Sequence, residues 1–279
     1  MPELPEVEAA RLLAKRVAVG RRITGVWCAA DPIVFEGVSP ARVRRALLGR
    51  RVVAVRRHGK HLWLELDRRP WPSFHFGMTG GLHAPRVPSV RLVSSGRRNP
   101  GDRWPPRFTK LRLTLDDGGE LALADARRLG RVRFRDDPPR EPPISLLGFD
   151  ALLHLPPPAR FRELLRGRSA PIKAVLLDQS FAAGVGNWIA DEVLYQAGID
   201  PRRRAHRLSE AEVRRLRAKI GAVVTTAVRA RSDSDRYPRT WLFHDRWGRS
   251  TGAVTSRGQR IRYDTIGGRT TAWVPTVQR

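Results

Sequence analysis

The sequence predicts an α+β chain: a β-rich N-terminal part, a helical part, and a short β-rich tail. Three observations carry this. Two stretches, RRVVAVRRHGKHLWLELD and KLRLTLDDGGELALAD, alternate on either side of turn residues, as antiparallel hairpins do. The run DDPPREPP at 136–143 then breaks the pattern with prolines, and helical spacing follows it. From about Arg239, AVTSRGQRIRYDTIGGRTTAWV returns to short alternating runs. The expected divisions are 1–135, a linker at 136–143, 144–236, and 237–279.

In chain order, EVEAARLLAKRVAVG is a helix with Val7, Ala10, Leu13 and Val17 on one face and Gly20 as its stop. RITGVWCAA is a strand, and SPARVRRALLG a short helix capped by Ser39 with Pro40 in its first position. The first hairpin turns at HGK and the second at DDGG, with a Pro/Gly/Arg-rich loop, RVPSVRLVSSGRRNPGDRWPPR, between them. Past the linker, helices are expected at 159–167, 171–178, 186–197 and 209–231. The last opens with a capping box formed by Ser209 and Glu212.

Composition narrows the partner. The net charge is +26, from 53 basic against 27 acidic residues, which points to a polyanion and most directly to nucleic acid. Five of the basic residues are lysines and 48 are arginines, so each retained lysine is informative. No stretch approaches 18 apolar residues, and Glu3, Glu6 and Glu8 rule out a secretory signal, so a cytoplasmic chain is expected. The single cysteine, Cys28, permits neither a disulfide framework nor a thiolate-rich zinc cluster, and it reads as a small core residue.

Four separated stretches carry chemistry. MPELPEVE admits two readings. Proline and glutamate suit a helix start. Alternatively, with Met1 removed, Pro2 becomes a terminal secondary amine with a pKa near ~7.7–8.0. Such an amine can attack a sugar C1′ and form an iminium, with Glu3 moving protons to the ring oxygen. Lys60 at a hairpin tip is either a solvated cation or a functional loop residue. SFHFGMTGGLHA places His75 and Met78 before a glycine pair, where Met78 is either core or a wedge able to enter a duplex. DQSFAAGVGNWIADEVLYQAGIDP opens a helix at GVGN, offering free backbone N–H groups beside Asn187 to a phosphate.

Together MPELPEVE, the hairpin GK, HFGMTG, DARRLG and QSFAAGVGNWIADEVLYQAGIDP resemble, in order, the formamidopyrimidine-DNA glycosylase/endonuclease VIII family. The resemblance spans the chain. It implies a β-sandwich with a leading helix, a helix–two-turn–helix domain, and a terminal β-hairpin. It implies a bifunctional glycosylase/AP lyase of base excision repair, acting as a monomer on double-stranded DNA with oxidised bases or abasic sites. That enzyme needs no cofactor, and in a bacterium it would associate with the nucleoid.

The resemblance also implies roles. Pro2 is the nucleophile, Glu3 the acid/base, Glu6 its helper, and Lys60 a phosphate contact in the catalytic set. His75, Met78, Arg127, Arg128 and Leu129 meet the DNA at the lesion, Met78 filling the void left by the flipped nucleotide and Arg127 facing the orphaned base. Lys173 in APIKAVLLD, Gly186, Asn187 and Arg269 in GGRTTAW contact phosphates, and the recognition loop is expected near 229–239. Two departures stand out. The four-cysteine zinc finger of most members cannot be built, and the tail resembles the zincless finger of plant-type members, with Trp241, Phe243 and Trp273 supplying apolar contacts. GRRNPGDRWPPRFTK likewise resembles the plant-type insertion. Leu129 stands where members acting on 8-oxoguanine carry Phe, so formamidopyrimidines are the first substrate expectation, 8-oxoguanine a weaker one, and oxidised pyrimidines the alternative.

Overall fold

The computed structural model describes residues 1–87, 104–248, 250 and 252–279. Most of the arginine-rich loop, and most of the insertion at 96–110, lie outside the described residues. The chain divides into two compact units, Met1–Leu146 and Leu147–Arg279.

In the first unit, helix α1 (Leu4–Ala18) leads into β1 (Ile23–Cys28), α2 (Pro40–Leu47), β2 (Val52–His58), β3 (His61–Leu66), β4 (Trp71–His75), β5 (Gly81–His83), β6 (Thr109–Leu115), β7 (Glu120–Ala124) and β8 (Arg131–Arg135). Two four-stranded antiparallel sheets result, in the orders β1-β6-β7-β5 and β2-β3-β4-β8. Ile23, Leu111, Leu113 and Leu123 of one sheet and Val52, Leu62, Leu64, Phe74 and Val132 of the other form one core with Val7, Ala10 and Ala14 of α1. Alternation explains this, since period-2 strands send every second side chain to one face. Ser39 caps α2, its hydroxyl accepting the Arg42 N–H.

The second unit contains β9 (Phe149–Asp150), α3 (Pro158–Arg166), α4 (Ile172–Leu177), β10 (Ala182–Ala183), α5 (Asn187–Ala197), α6 (Glu210–Arg229), β11 (Arg262–Ile266) and β12 (Arg269–Trp273). Each expected helix forms within a residue or two of its anticipated ends. The Ser209–Glu212 box caps α6, with the Glu212 carboxylate accepting the Ser209 N–H at 2.7 Å. Phe149, Phe161 and Phe181 meet edge-on and tilted at 5.2–5.9 Å between centroids, anchoring α3. The β11–β12 hairpin belongs to this unit, where Ala272 and Val274 pack with Tyr195 and Leu242.

Candidate functional site

In the first unit the site grows from the start of α1. Glu3 is the N-cap and Pro5 lies in the first turn, so helix-start chemistry is real. The Glu6 carboxylate accepts the Glu3 N–H at 2.9 Å. Yet Pro2 and Glu3 are buried, which a decorative helix start would not require. Pro2 and Glu6 share a cavity of about 60 Å³ with Phe76, Thr79 and His83. Burial there, reinforced by the nearby charge of Glu3, pushes the Glu6 carboxyl up to about 7.

A carboxyl raised from 4.5 to about 7 stabilises the fold most below pH 4.5, and that contribution is lost as pH rises through 7. Glu6→Gln should therefore gain in melting temperature on wild type between pH 5 and 8. Parallel melting curves for the two proteins across that range would contradict it.

Lys60 is only 6% exposed, so the solvated-cation reading does not hold. It stands in the Gly59–Lys60 turn between β2 and β3, and the turn is held from beneath. Arg57, its side chain fully buried, donates to the Gly59 carbonyl at 3.0 Å and to Glu8 at 2.9 Å. Arg11 grips the same Glu8 carboxylate. Glu8 thus ties α1, whose N-cap follows Pro2, to the turn that carries Lys60.

His75 ends β4, and its Nδ1 accepts the Gly77 N–H at 3.3 Å. Its ring lies 4.7 Å from that of His61, a residue the sequence reading did not single out. Strand register puts His58, His61, His75 and Arg131 in one row across all four strands. Desolvation, with neighbouring Lys60 and Arg133, pushes His61 down to about 3 and His75 to about 4, so both are neutral at pH 7. The signal for His61 was its place directly after Lys60.

Met78 and the DARRLG turn pack back to back. Gly77 has φ +58°, and a Cβ there would come within 2.4 Å of the Leu129 backbone, so this approach requires glycine. Buried Asp125 accepts from Thr79 Oγ1 (3.2 Å), the Arg127 N–H (3.2 Å) and the Gly130 N–H (2.7 Å), joining the two loops. Met78 is half-buried, while Arg127 and Leu129 are exposed. Arg128 is placed differently from the other two. Its guanidinium pairs with Asp31 at 2.9 and 3.0 Å, and Lys110 adds a third contact at 2.8 Å. These cations hold the Asp31 carboxyl well below the usual carboxylate range. Arg128 braces the turn, leaving Arg127 and Leu129 to project from it. Cys28 is half-buried, its thiol pushed up to about 11 by burial, as suits a packing residue.

The second unit carries the remaining candidates. Gly186 is the N-cap of α5 and Asn187 its first residue. The Gln179 amide shapes the preceding loop, donating to the Leu177 and Val185 carbonyls and accepting the Gly184 N–H. The Asn187 amide nitrogen donates to the Thr270 carbonyl at 2.8 Å, and its oxygen is buried without a hydrogen-bond partner among the described residues. Arg269 is exposed at the tip of the β11–β12 hairpin, beside Gly267 (φ +61°) and Gly268 (φ +70°).

Lys173 departs from its expected place at the phosphates. It is fully buried, and its ammonium pairs with Asp191 and donates to the Asn187 carbonyl at 3.0 Å. Its charge is paired inside the fold with Asp191 instead of being held out toward a phosphate. At 229–239, α6 ends and Arg231 and Ser232 take positive φ before a single tight turn at Ser234–Arg236. Trp241 and Phe243 lie in an aromatic cluster with Trp188, Tyr237 and Trp247. Trp273 sits apart from it, donating to Asp264 at 2.7 Å beneath the Arg202 guanidinium.

Comparison with known proteins follows the same two units. Residues 1–132 match the model of the formamidopyrimidine-DNA glycosylase N-terminal domain, and residues 147–237 that of the formamidopyrimidine-DNA glycosylase H2TH domain. The chain is 42% identical to the formamidopyrimidine-DNA glycosylase of Arabidopsis thaliana over its whole length, covering 71% of that protein. It is 30% identical to the Pelobacter propionicus enzyme of the same name, with both chains fully covered. Among solved structures, it resembles MutM in complex with DNA containing carbocyclic 8-oxo-G (TM-score 0.81, 25% identity). It also resembles Lactococcus lactis Fpg in complex with DNA containing N7-benzyl-Fapy-dG (TM-score 0.80, 25% identity). Both chains are fully covered in each of these two pairs.

Proposed function

We infer the activity of this chain from one premise: it belongs to the formamidopyrimidine-DNA glycosylase family. It is a DNA glycosylase of base excision repair, and its partner is DNA. The finer reading is a bifunctional glycosylase and AP lyase acting on oxidised purines. Formamidopyrimidines come first and 8-oxoguanine second. The observation that carries this reading is the burial of Pro2 in one cavity with Glu6, whose carboxyl that burial pushes up to about 7.

The target nucleotide must leave the stack, because C1′ is shielded inside a duplex. Met78, on its braced loop, takes the vacated space, and Arg127 meets the orphaned base. With Met1 removed, the Pro2 nitrogen lone pair attacks C1′ and the glycosidic C–N bond breaks, the base taking up a proton as the Pro2 nitrogen gives up its own. Glu3 protonates the ring oxygen and the sugar opens to an iminium on Pro2. Loss of a C2′ proton then expels the 3′ phosphate, and loss of a C4′ proton expels the 5′ phosphate. Lys60, Asn187 and Arg269 supply phosphate contacts, so affinity should fall steeply with salt.

Leu129 is 42% exposed and cannot stack on a base as a phenyl ring would. That one observation favours loose discrimination of the opposite base and keeps oxidised pyrimidines as a second substrate class. The lyase reading is tested with an abasic-site duplex and sodium borohydride. A covalent adduct at Pro2 is expected, and its absence from protein with a confirmed proline N-terminus would refute the mechanism.

A further inference from the structure

Residues 237–279 contain no cysteine, and His244 is their one histidine. This donor set does not fit the four-thiolate zinc site of most family members. Something else must hold a small hairpin against the helices, since a two-stranded hairpin alone is marginal in water.

The structure shows a carboxylate at that place. Asp191 on α5 is 1% exposed, and both its oxygens are used. One oxygen pairs with the fully buried Lys173 of α4. The other takes two donors from the Arg246 guanidinium, at 2.5 and 3.0 Å, and the Ala272 N–H of β12 at 3.2 Å. Lys173 returns to α5 through the Asn187 carbonyl. Two neighbours on α5 add ties to the same C-terminal segment. Glu192 accepts the Phe243 N–H at 2.8 Å, and the Asn187 amide donates to the Thr270 carbonyl at 2.8 Å. Residues 187 and 191 share one helix face, so that face of α5 grips the tail by two polar ties.

We propose that Asp191 is a positioning residue standing in for the missing metal, fixing the β11–β12 hairpin to α5 and so setting where Arg269 stands. Four donor atoms, from two cations and one backbone N–H on three separate segments, converge on one carboxylate. At position 173 the compact ammonium reaches both Asp191 and the Asn187 carbonyl. Asp191→Asn would leave Lys173 and Arg246 without this counter-charge and would turn one of the two acceptor oxygens into an NH2 donor facing them.

The functional consequence rests on the reading of Arg269 as a phosphate contact, and the test separates the two. In the full-length protein, Asp191→Asn should raise amide exchange across residues 262–273 at least about tenfold, leaving residues 52–66 unchanged. Binding to a duplex bearing a tetrahydrofuran abasic analogue should weaken, while strand nicking at saturating DNA keeps its rate. Asp191→Asn combined with Arg269→Ala should bind no more weakly than Arg269→Ala alone. Unchanged exchange at 262–273, an equal rise throughout 147–279, additive losses in the double variant, or an equimolar zinc content in purified protein would each overturn the proposal. If Arg269→Ala alone binds normally, the phosphate role of Arg269 falls, and the exchange result still decides the role of Asp191. Should Asp191→Asn fail to fold, Arg246→Gln probes the same tie, with the same segment expected to exchange faster and no change counting against it.

Discussion

A chain that keeps Met1, or carries any uncleaved N-terminal residue, is expected to lose base excision and strand nicking by at least about 10³-fold. The reason lies in one nitrogen. As a chain terminus, Pro2 is a secondary amine with a pKa near ~7.7–8.0, so a useful fraction is neutral and nucleophilic at neutral pH. Acylated by methionine, the same nitrogen is an amide, and resonance withdraws its lone pair. Among the described residues that line the cavity shared with Glu6, Phe76, Thr79 and His83, no lysine stands ready to replace it. Preparations with processed and unprocessed termini, distinguished by intact mass, should differ in borohydride trapping on an abasic duplex. Equal trapping in both would remove Pro2 from the mechanism.

Glu3→Gln should lower excision of a formamidopyrimidine by about 10²–10⁴-fold, the usual contribution of a positioned acid/base. Nicking of a preformed abasic site should fall much less. An intact nucleoside must have its ring oxygen protonated as the base departs, whereas an abasic sugar already samples its open aldehyde. Glutamine keeps the shape of the buried N-cap residue at the start of α1 but cannot exchange a proton. Single-turnover rates on the two substrates would check this. An equal loss on both would reassign Glu3 from base departure to a step common to both reactions.

Much of this was legible in the sequence, for local reasons. Ser39 and Pro40 announce α2, Ser209 and Glu212 announce α6, and HGK and DDGG mark the hairpins. Caps, turns and periodicity are set by residues a few positions apart, so one stretch of chain suffices to reveal them. Weaker signals were missed for the same reason. The short strands β5 and β10 carry no usable alternation and form only because partners lie beside them. The motifs pointed to Pro2, Glu3, Lys60, Met78 and Arg127 through residue type and order, before any of their surroundings were known.

What each cation does was a different matter. Lys60 and Lys173 looked alike as retained lysines in an arginine-rich chain, and both are buried. The turn of Lys60 is braced by an Arg57–Glu8 pair that spans 49 positions. Lys173 is consumed by Asp191, 18 positions away, which also receives Ala272 from 81 positions away. Arg127 and Arg128 are adjacent and both exposed, yet Arg128 is held by Asp31 across 97 positions. By itself, then, the sequence determined the elements, their order and the reactive residues, because those depend on near neighbours and side-chain chemistry. The tertiary structure alone decided which charges face solvent and which brace the fold. Burial and pairing are properties of distant residues brought together, and the energy of a charge depends on that company.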